Sequence, residues 1–333
     1  MSNVVEVIRG GIVESRHIVH IAVAHADRGL IAWCGDAHRI SFVRSAIKMF
    51  QALPLAEDGV IASFSLTSEE VALCTASHNA EPFQVAAARA ILAKVGVAED
   101  ALACGPHPPM YTPAAETLER RGETPGRIHN NCSGKHAGML ALARHQGWTM
   151  DGYHLEDHPV QQRVLRTLCA WSGLEPSAVS LGVDGCGLPT FALPLNLTAL
   201  ACARFAAAAN RGKTPATTIV RAMTTHPEFV AGTGRLCTAL MRIGHGRLFA
   251  KVGAEGYYCA GVPDQALGIA LKVDDGARRA AEPALLAVLH ALSVVSNADL
   301  ERLRDFAQPV VTNTRGEVVG EIRARLTLAP ASR

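Results

Sequence analysis

The sequence lacks a charge imbalance, a long unbroken apolar run and any closely paired cysteine motif, and each absence removes a class of protein. The 32 Lys and Arg residues stand against 30 Asp and Glu, a formal net charge of +2. No global field therefore draws the chain to nucleic acid or to an anionic membrane, and a small neutral or zwitterionic ligand suits this balance better than a polyanion. The most apolar tracts, 191–209 and 284–295, are interrupted by Asn196 and Arg204 in the first and by His290 in the second. Neither is a clean membrane span, and both are expected as buried strands or helices. The first residues lack a basic stretch leading into an apolar core, so no signal peptide is evident. Nine cysteines, an odd number without a Cys-x-x-Cys pair, argue against a secreted disulfide scaffold. A reducing, cytoplasmic compartment is the expectation. There is no internal repeat and no low-complexity linker.

What is present is enough for a large core. The 333 residues are 49% apolar and 19% charged, the balance of an ordinary globular protein. Apolar runs at 18–23 and 30–34 flank an Asp27–Gly29 bend and predict a β-hairpin. A helix is expected over 44–53, stopped by Pro54, with others over 83–96 closed by Gly96, 160–172 closed by Gly173, 199–209 and 283–295, while 131–143 reads as a loop entering a helix. Residues 71–76 form a short apolar run, and 104–114, rich in Pro and Gly, form a loop. Strands are expected over 247–252, 256–262, 269–273 and 309–312. This order predicts an α+β architecture in which 1–80 and 225–333 make one domain and 81–224 a mainly helical insert, with the active site expected between them.

Three short motifs carry chemistry. Ser45 and Lys48 stand three apart, on one face of the expected helix. A serine hydroxyl becomes a useful nucleophile once a base takes its proton, and lysine is that base only when neutral. Lowering the lysine pKa from about 10.4 to about 7–8 takes roughly 4 kcal/mol, from burial or a second cation nearby. The second motif is Ser77-His78-Asn79, directly after an apolar run. The third is Lys251-Val252-Gly253, where a strand lysine is followed by bare backbone. Each has a plainer reading: a solvated helix lysine, an N-cap, a lysine that blunts an edge strand. Together they resemble the arrangement of serine β-lactamases and penicillin-binding proteins, where a Ser-x-x-Lys helix meets a Lys-x-Gly strand.

Two further loops are dense in small and polar residues. His129-Asn130-Asn131-Cys132-Ser133-Gly134-Lys135-His136 supplies one cysteine, and Asp184-Gly185-Cys186-Gly187-Leu188-Pro189 supplies another. Two thiolates with a nitrogen donor suit zinc, but the spacing is incomplete, and a pair of buried cysteines is the default from spacing alone. The full phosphate-loop pattern is absent around Gly134-Lys135, which excludes that use. Cys74, Cys169, Cys202 and Cys237 lie in apolar or helical stretches and are expected in the core.

Taken jointly, Arg44-Ser45-Ala46-Ile47-Lys48, Ala76-Ser77-His78, Asn131 to His136, Asp184 to Pro189 and Lys251-Val252-Gly253-Ala254-Glu255-Gly256 resemble the Rhizobium-type asparaginase II family in type, order and spacing. Arg9-Gly10-Gly11, His226-Pro227-Glu228 and the 318–323 stretch extend the resemblance over nearly the whole chain. It implies a serine β-lactamase/glutaminase-like fold, with an antiparallel sheet flanked by helices and a mainly helical insert, and a homodimer. It implies hydrolysis of L-asparagine to L-aspartate and ammonia through a Ser-Lys acyl-enzyme. Ser45 then matches the nucleophile, Lys48 its partner, and Ser77 with Lys251 a second Ser-Lys pair. Cys132, Lys135 and Cys186 match zinc ligands, and Arg44, His78, Asp184 and His136 match residues that bind substrate or border the metal. Met49 stands where family members often carry proline. A glutaminase or other serine acyl hydrolase of similar architecture, and a non-catalytic zinc-containing amino-acid binding protein, are the competing readings.

Overall fold

The structure is a computed structural model that describes residues 2–331. It has an α+β architecture, mixing helices with antiparallel sheet, and divides into two compact units.

One unit comprises Met1–Ala46, Leu193–Ala207 and Ala250–Arg333. Its sheet runs, from edge to edge, through the strands Val310–Thr312, Val318–Leu326, Asn3–Arg9, Ile12–His25, Leu267–Val273, Tyr257–Val262 and Phe249–Val252, with Gly29–Cys34 also paired to Ile12–His25. The long strand shows why the sequence folds this way. Ile12, Glu14, Arg16 and Ile18 are exposed on one face, whereas Val19 to Ala24 are buried on both. Alternation marks the half-covered end of the sheet, and the nearly continuous apolar run, broken only by buried His20, marks the end covered on both faces. The 18–34 hairpin forms as expected, with Ile21 opposite Cys34 and His25 opposite Gly29. The chain ends meet, Asn3 pairing with Leu326 and Arg9 with Gly320. A Cβ on Gly268 would lie 2.1 Å from Ala199 O, so only glycine lets the Leu195–Asn210 helix seat this closely on the sheet.

The other unit comprises Ile47–Ala192 and Ala208–Phe249. Its centre is the helix Ser133–His145, in which Ser133 through Ala143 are all buried. A helix buried all round carries no amphipathic stripe, and this one is surrounded by Lys48–Glu57, Ser68–Cys74, Pro82–Val95 and Pro159–Ser172. Gly134 and Gly138 permit the crowding. A Cβ on Gly134 would stand 2.5 Å from Leu73 O, and one on Gly138 would stand 2.9 Å from Cys74 Sγ.

Residues 47–80 belong with the helical unit because their helices pack around Ser133–His145, and so does 225–249; residues 193–207 belong with the sheet they cover. Pro54 does not stop its helix, which runs Lys48–Glu57; a proline forfeits one N–H bond, and the buried residues on either side hold the helix through it. The 71–76 run is the end of a helix, Ser68–Cys74, started by a Thr67–Glu70 capping box. Among the described residues no helix is long and apolar enough to cross a membrane.

Candidate functional site

Residues 75–81 are all buried and have no regular secondary structure. Backbone groups in such a stretch need individual partners. Ser77 N donates to Val230 O at 3.0 Å and His78 N to Asn131 O at 3.0 Å; Asn79 O accepts from Met110 N and Tyr111 N. Into this loop reaches Lys48, from the first turn of its helix. Its Nζ donates to Ala76 O at 2.5 Å, Ser77 Oγ at 3.0 Å and Cys132 Sγ at 3.0 Å. Lys48 is 0% exposed, so the solvated-lysine reading does not apply. Burial holds its pKa below the ordinary lysine value and the Lys135 charge adds to this, while Cys132 and Cys186 pull the other way.

Cys132 ends the loop that opens the central helix. Its N–H is held by Asn130 Oδ1 at 2.9 Å and its carbonyl accepts from His136 N. Cys132 Sγ donates to Asn131 Oδ1 at 3.0 Å. Interaction with Cys186, with burial, pushes Cys132 up to about 12. The same interaction, helped by the Lys135 charge, draws Cys186 down to about 5. Of the two sulfurs, Cys186 is the one that ionises more readily. Lys135 Nζ donates to Cys186 Sγ at 3.3 Å. Burial pushes the Lys135 ammonium down, but the sulfurs of Cys132 and Cys186 and the Asp184 carboxylate outweigh it and hold its pKa above the ordinary value. Asp184 sits in a tight turn, its N–H on Leu188 O and its carbonyl receiving Gly187 N. Gly187 there adopts φ +85°, which glycine allows without a steric penalty.

Two histidines of the motif loops, His78 and His136, are 0% exposed. His78 Nδ1 accepts from Ala80 N at 3.0 Å, which puts its proton on Nε2, 2.9 Å from Ser133 Oγ. Burial, reinforced by Lys48, brings His78 down to about 3. Both its nitrogens are spent on protein partners, so it fastens the Ser77 loop to the central helix. His136 is likewise lowered to about 3, by burial and then Lys135. Its Nδ1 meets Tyr153 Oη at 2.6 Å, and its buried Nε2 has no hydrogen-bond partner among the described residues.

Ser45 and Lys251 belong to the sheet unit. Ser45, half-buried, lies in the single 3-10 turn Arg44–Ile47, directly before the Lys48–Glu57 helix. Arg44 adopts φ +49°, a left-handed conformation that non-glycine residues adopt at a cost and that recurs at functional sites. Lys251 lies on Phe249–Val252, an edge strand of the sheet, yet is 0% exposed. It therefore cannot serve as a solvated edge-blunting lysine; its Nζ donates to Val252 O at 2.9 Å. Gly253 then brings the strand end against the Ser45 turn: a Cβ there would lie 2.9 Å from Val43 O and 3.2 Å from Ala46 Cβ.

Within the helical unit, Lys48, Ser77, Cys132, Lys135, Asp184 and Cys186 form one connected polar cluster. Sequence reasoning missed two residues beside it. Tyr153 Oη accepts from Ala103 N at 2.9 Å and so bridges to His136. Cys104, held at about 12 by burial and the neighbouring Cys132 and Cys186, donates to Arg127 O. Neither has a local signal: Tyr153 follows a turn, and Cys104 opens a Pro-Gly loop. A family model described as L-asparaginase II aligns with residues 5–324, while no curated protein matches the chain. The alignment takes in both Ser-Lys motifs and both cysteine loops, and the chain belongs to the L-asparaginase II family.

Proposed function

We propose that this protein hydrolyses L-asparagine to L-aspartate and ammonia through a Ser-Lys acyl-enzyme. The observation that carries the reading is the fully buried Lys48 amine 3.0 Å from Ser77 Oγ. Three acceptors surround Nζ, matching the three protons of an ammonium; loss of one frees a lone pair to receive a hydroxyl proton. In the proposed sequence neutral Lys48 takes the proton of Ser45, and Ser45 Oγ attacks the side-chain amide carbon. Backbone N–H groups near Ser45 hold the oxyanion. The C–N bond breaks as nitrogen is protonated, ammonia leaves, and water deacylates the ester to give aspartate. Ser77 and Lys251 relay protons, and Arg44 and Asp184 supply opposite charges to the two ends of a zwitterionic substrate.

Cys132, Cys186 and Lys135 fit a zinc ion in their chemistry: two sulfurs, of which Cys186 ionises the more readily, and an amine in contact with Cys186. Lys135 must release its proton to serve, because an ammonium has no lone pair to give a metal; among the described residues no three His, Cys, Asp or Glu side chains gather as a metal site. Zinc there would add positive charge that orients substrate. A serine β-lactamase-like fold, a homodimer and a cytoplasmic location complete the reading; nine free, buried cysteines support a reducing compartment.

The test is ammonia release from asparagine and from glutamine by wild type and Ser45→Ala. Asparagine is expected to be the better substrate, by roughly 10–200-fold if a single methylene decides, and Ser45→Ala to lose turnover. Full activity in Ser45→Ala would remove the acyl-enzyme.

A further inference from the structure

The Ser77 loop is tied on its far side by a buried carboxylate that no step of the proposed chemistry uses. Glu81 is 5% exposed. Its Oε1 receives Thr233 N at 2.6 Å and Asn79 Nδ2 at 3.3 Å, and its Oε2 receives Thr233 Oγ1 at 2.8 Å. Asn79 closes the ring: its Nδ2 also donates to Thr233 O at 2.9 Å, and its Oδ1 accepts from Arg235 at 2.9 Å. Gln84, 0% exposed, adds a second tie. Its Oε1 accepts both Asn79 N and Glu81 N, and its Nε2 donates to Glu228 O at 2.7 Å. The turn that receives these bonds is built for close approach. Gly232 has φ +108°, and a Cβ there would stand 2.5 Å from Asn79 Nδ2 and 2.6 Å from Glu81 Oε1.

We propose that Glu81 is a positioning residue for Ser77, latching residues 77–79 to the 230–235 turn so that Ser77 Oγ is held at hydrogen-bond distance from Lys48. Burying a carboxylate is costly unless its oxygens are matched by donors, and here the donors come from both sides of the latch. Val230 O is the acceptor for Ser77 N, so the turn that Glu81 grips also fixes the Ser77 backbone. Loosening it moves a hydroxyl that must sit within a fraction of an ångström of its partner. The inference rests on the Ser-Lys reading, and the experiment separates the two.

Glu81→Gln replaces an acceptor-only group with one whose NH₂ opposes Thr233 N–H or O–H. Thr233→Val removes one bond and leaves the Thr233 N–H, a milder variant if Glu81→Gln folds poorly. Each is measured for kcat and KM alone and combined with Ser77→Ala, alongside amide hydrogen exchange. The expected result is a fall in kcat of about 10- to 100-fold for Glu81→Gln with KM little changed. Within the Ser77→Ala background no further loss is expected, because the latch acts through Ser77. Ser77 and His78 amides are expected to exchange faster while those of 269–271, in the sheet, do not. A loss that adds in full to that of Ser77→Ala, or unchanged exchange at Ser77 and His78, overturns the inference and leaves Glu81 a stabilising group only. If wild type releases ammonia from no amide, the Ser-Lys reading falls, and the exchange comparison alone decides the latch.

Discussion

A lysine amine acts as a base only in the fraction of molecules where it lacks its proton, and at position 48 burial enlarges that fraction at neutral pH. The sign follows directly. Because the pKa is lowered, the base form appears below the ordinary lysine range, and kcat/KM is expected to rise with pH through that pKa and then level off. Lys48→Met should cost roughly 10²–10⁴ in kcat. A profile that stays level between about pH 6 and pH 9 in the wild type would contradict the role. The contact of Lys48 with Ser77 was not legible in the sequence, where the resemblance pairs Lys48 with Ser45 and Ser77 with Lys251. Ser-x-x-Lys and Ser-His give no distance, and the resemblance assigns the two serines to different pairs. That Lys48 in fact touches Cys132 as well was not legible, since residues 48 and 132 are brought together by helix packing. His78 illustrates the opposite limit. The resemblance places it among residues that bind substrate or border the metal, and the structure adds that its nitrogens bond Ala80 N and Ser133 Oγ. Such bookkeeping needs coordinates.

At the scale of elements, the helix Ser133–His145 sets where Cys132 and Lys135 lie, and its height is fixed by Gly134 against the Ser68–Cys74 helix. The atom met by a Cβ at 134 is a backbone oxygen, Leu73 O at 2.5 Å, which cannot rotate away. Gly134→Ala is therefore expected to destabilise the chain by about 1–3 kcal/mol, the usual cost of overpacking. It should also lower kcat, because Leu73 lies four residues before Ser77. Gly105→Ala, where a Cβ meets nothing within 4 Å, should stay within about 0.5 kcal/mol. Urea unfolding of both variants, with kcat, checks this; equal midpoints would show that the helices can separate without cost. The strong helices at 82–95 and 159–172 and the 18–34 hairpin were legible because capping glycines and turn residues bound them. Ser68–Cys74 was not, since only its apolar second half is visible as a run and its capping box precedes it.

On the scale of the whole molecule, the sequence shows that both chain ends share a sheet but not where the units part. That boundary is set by which helices bury the Ser133–His145 core, and its first crossing falls at 46/47, between Ser45 and Lys48 in the sequence. The nine cysteines allow a prediction that spans both units. All nine are free and buried, so no covalent cross-link contributes to stability, and a thiol reductant should leave the Tm unchanged. Reaction with a disulfide reagent requires a thiolate and access to it. Cys186 alone among the shifted thiols is lowered, to about 5, while Cys34, Cys74, Cys104, Cys132, Cys169 and Cys259 are raised. The native protein is thus expected to show one dominant slow phase, limited by local opening, that disappears in Cys186→Ser, whereas protein unfolded in guanidinium titrates nine. If Cys186 also holds zinc, a chelator should accelerate that phase, because the metal masks the sulfur. Persistence of that phase in Cys186→Ser would show that another cysteine is the reactive one, and would take from Cys186 the thiolate on which the proposed metal site depends.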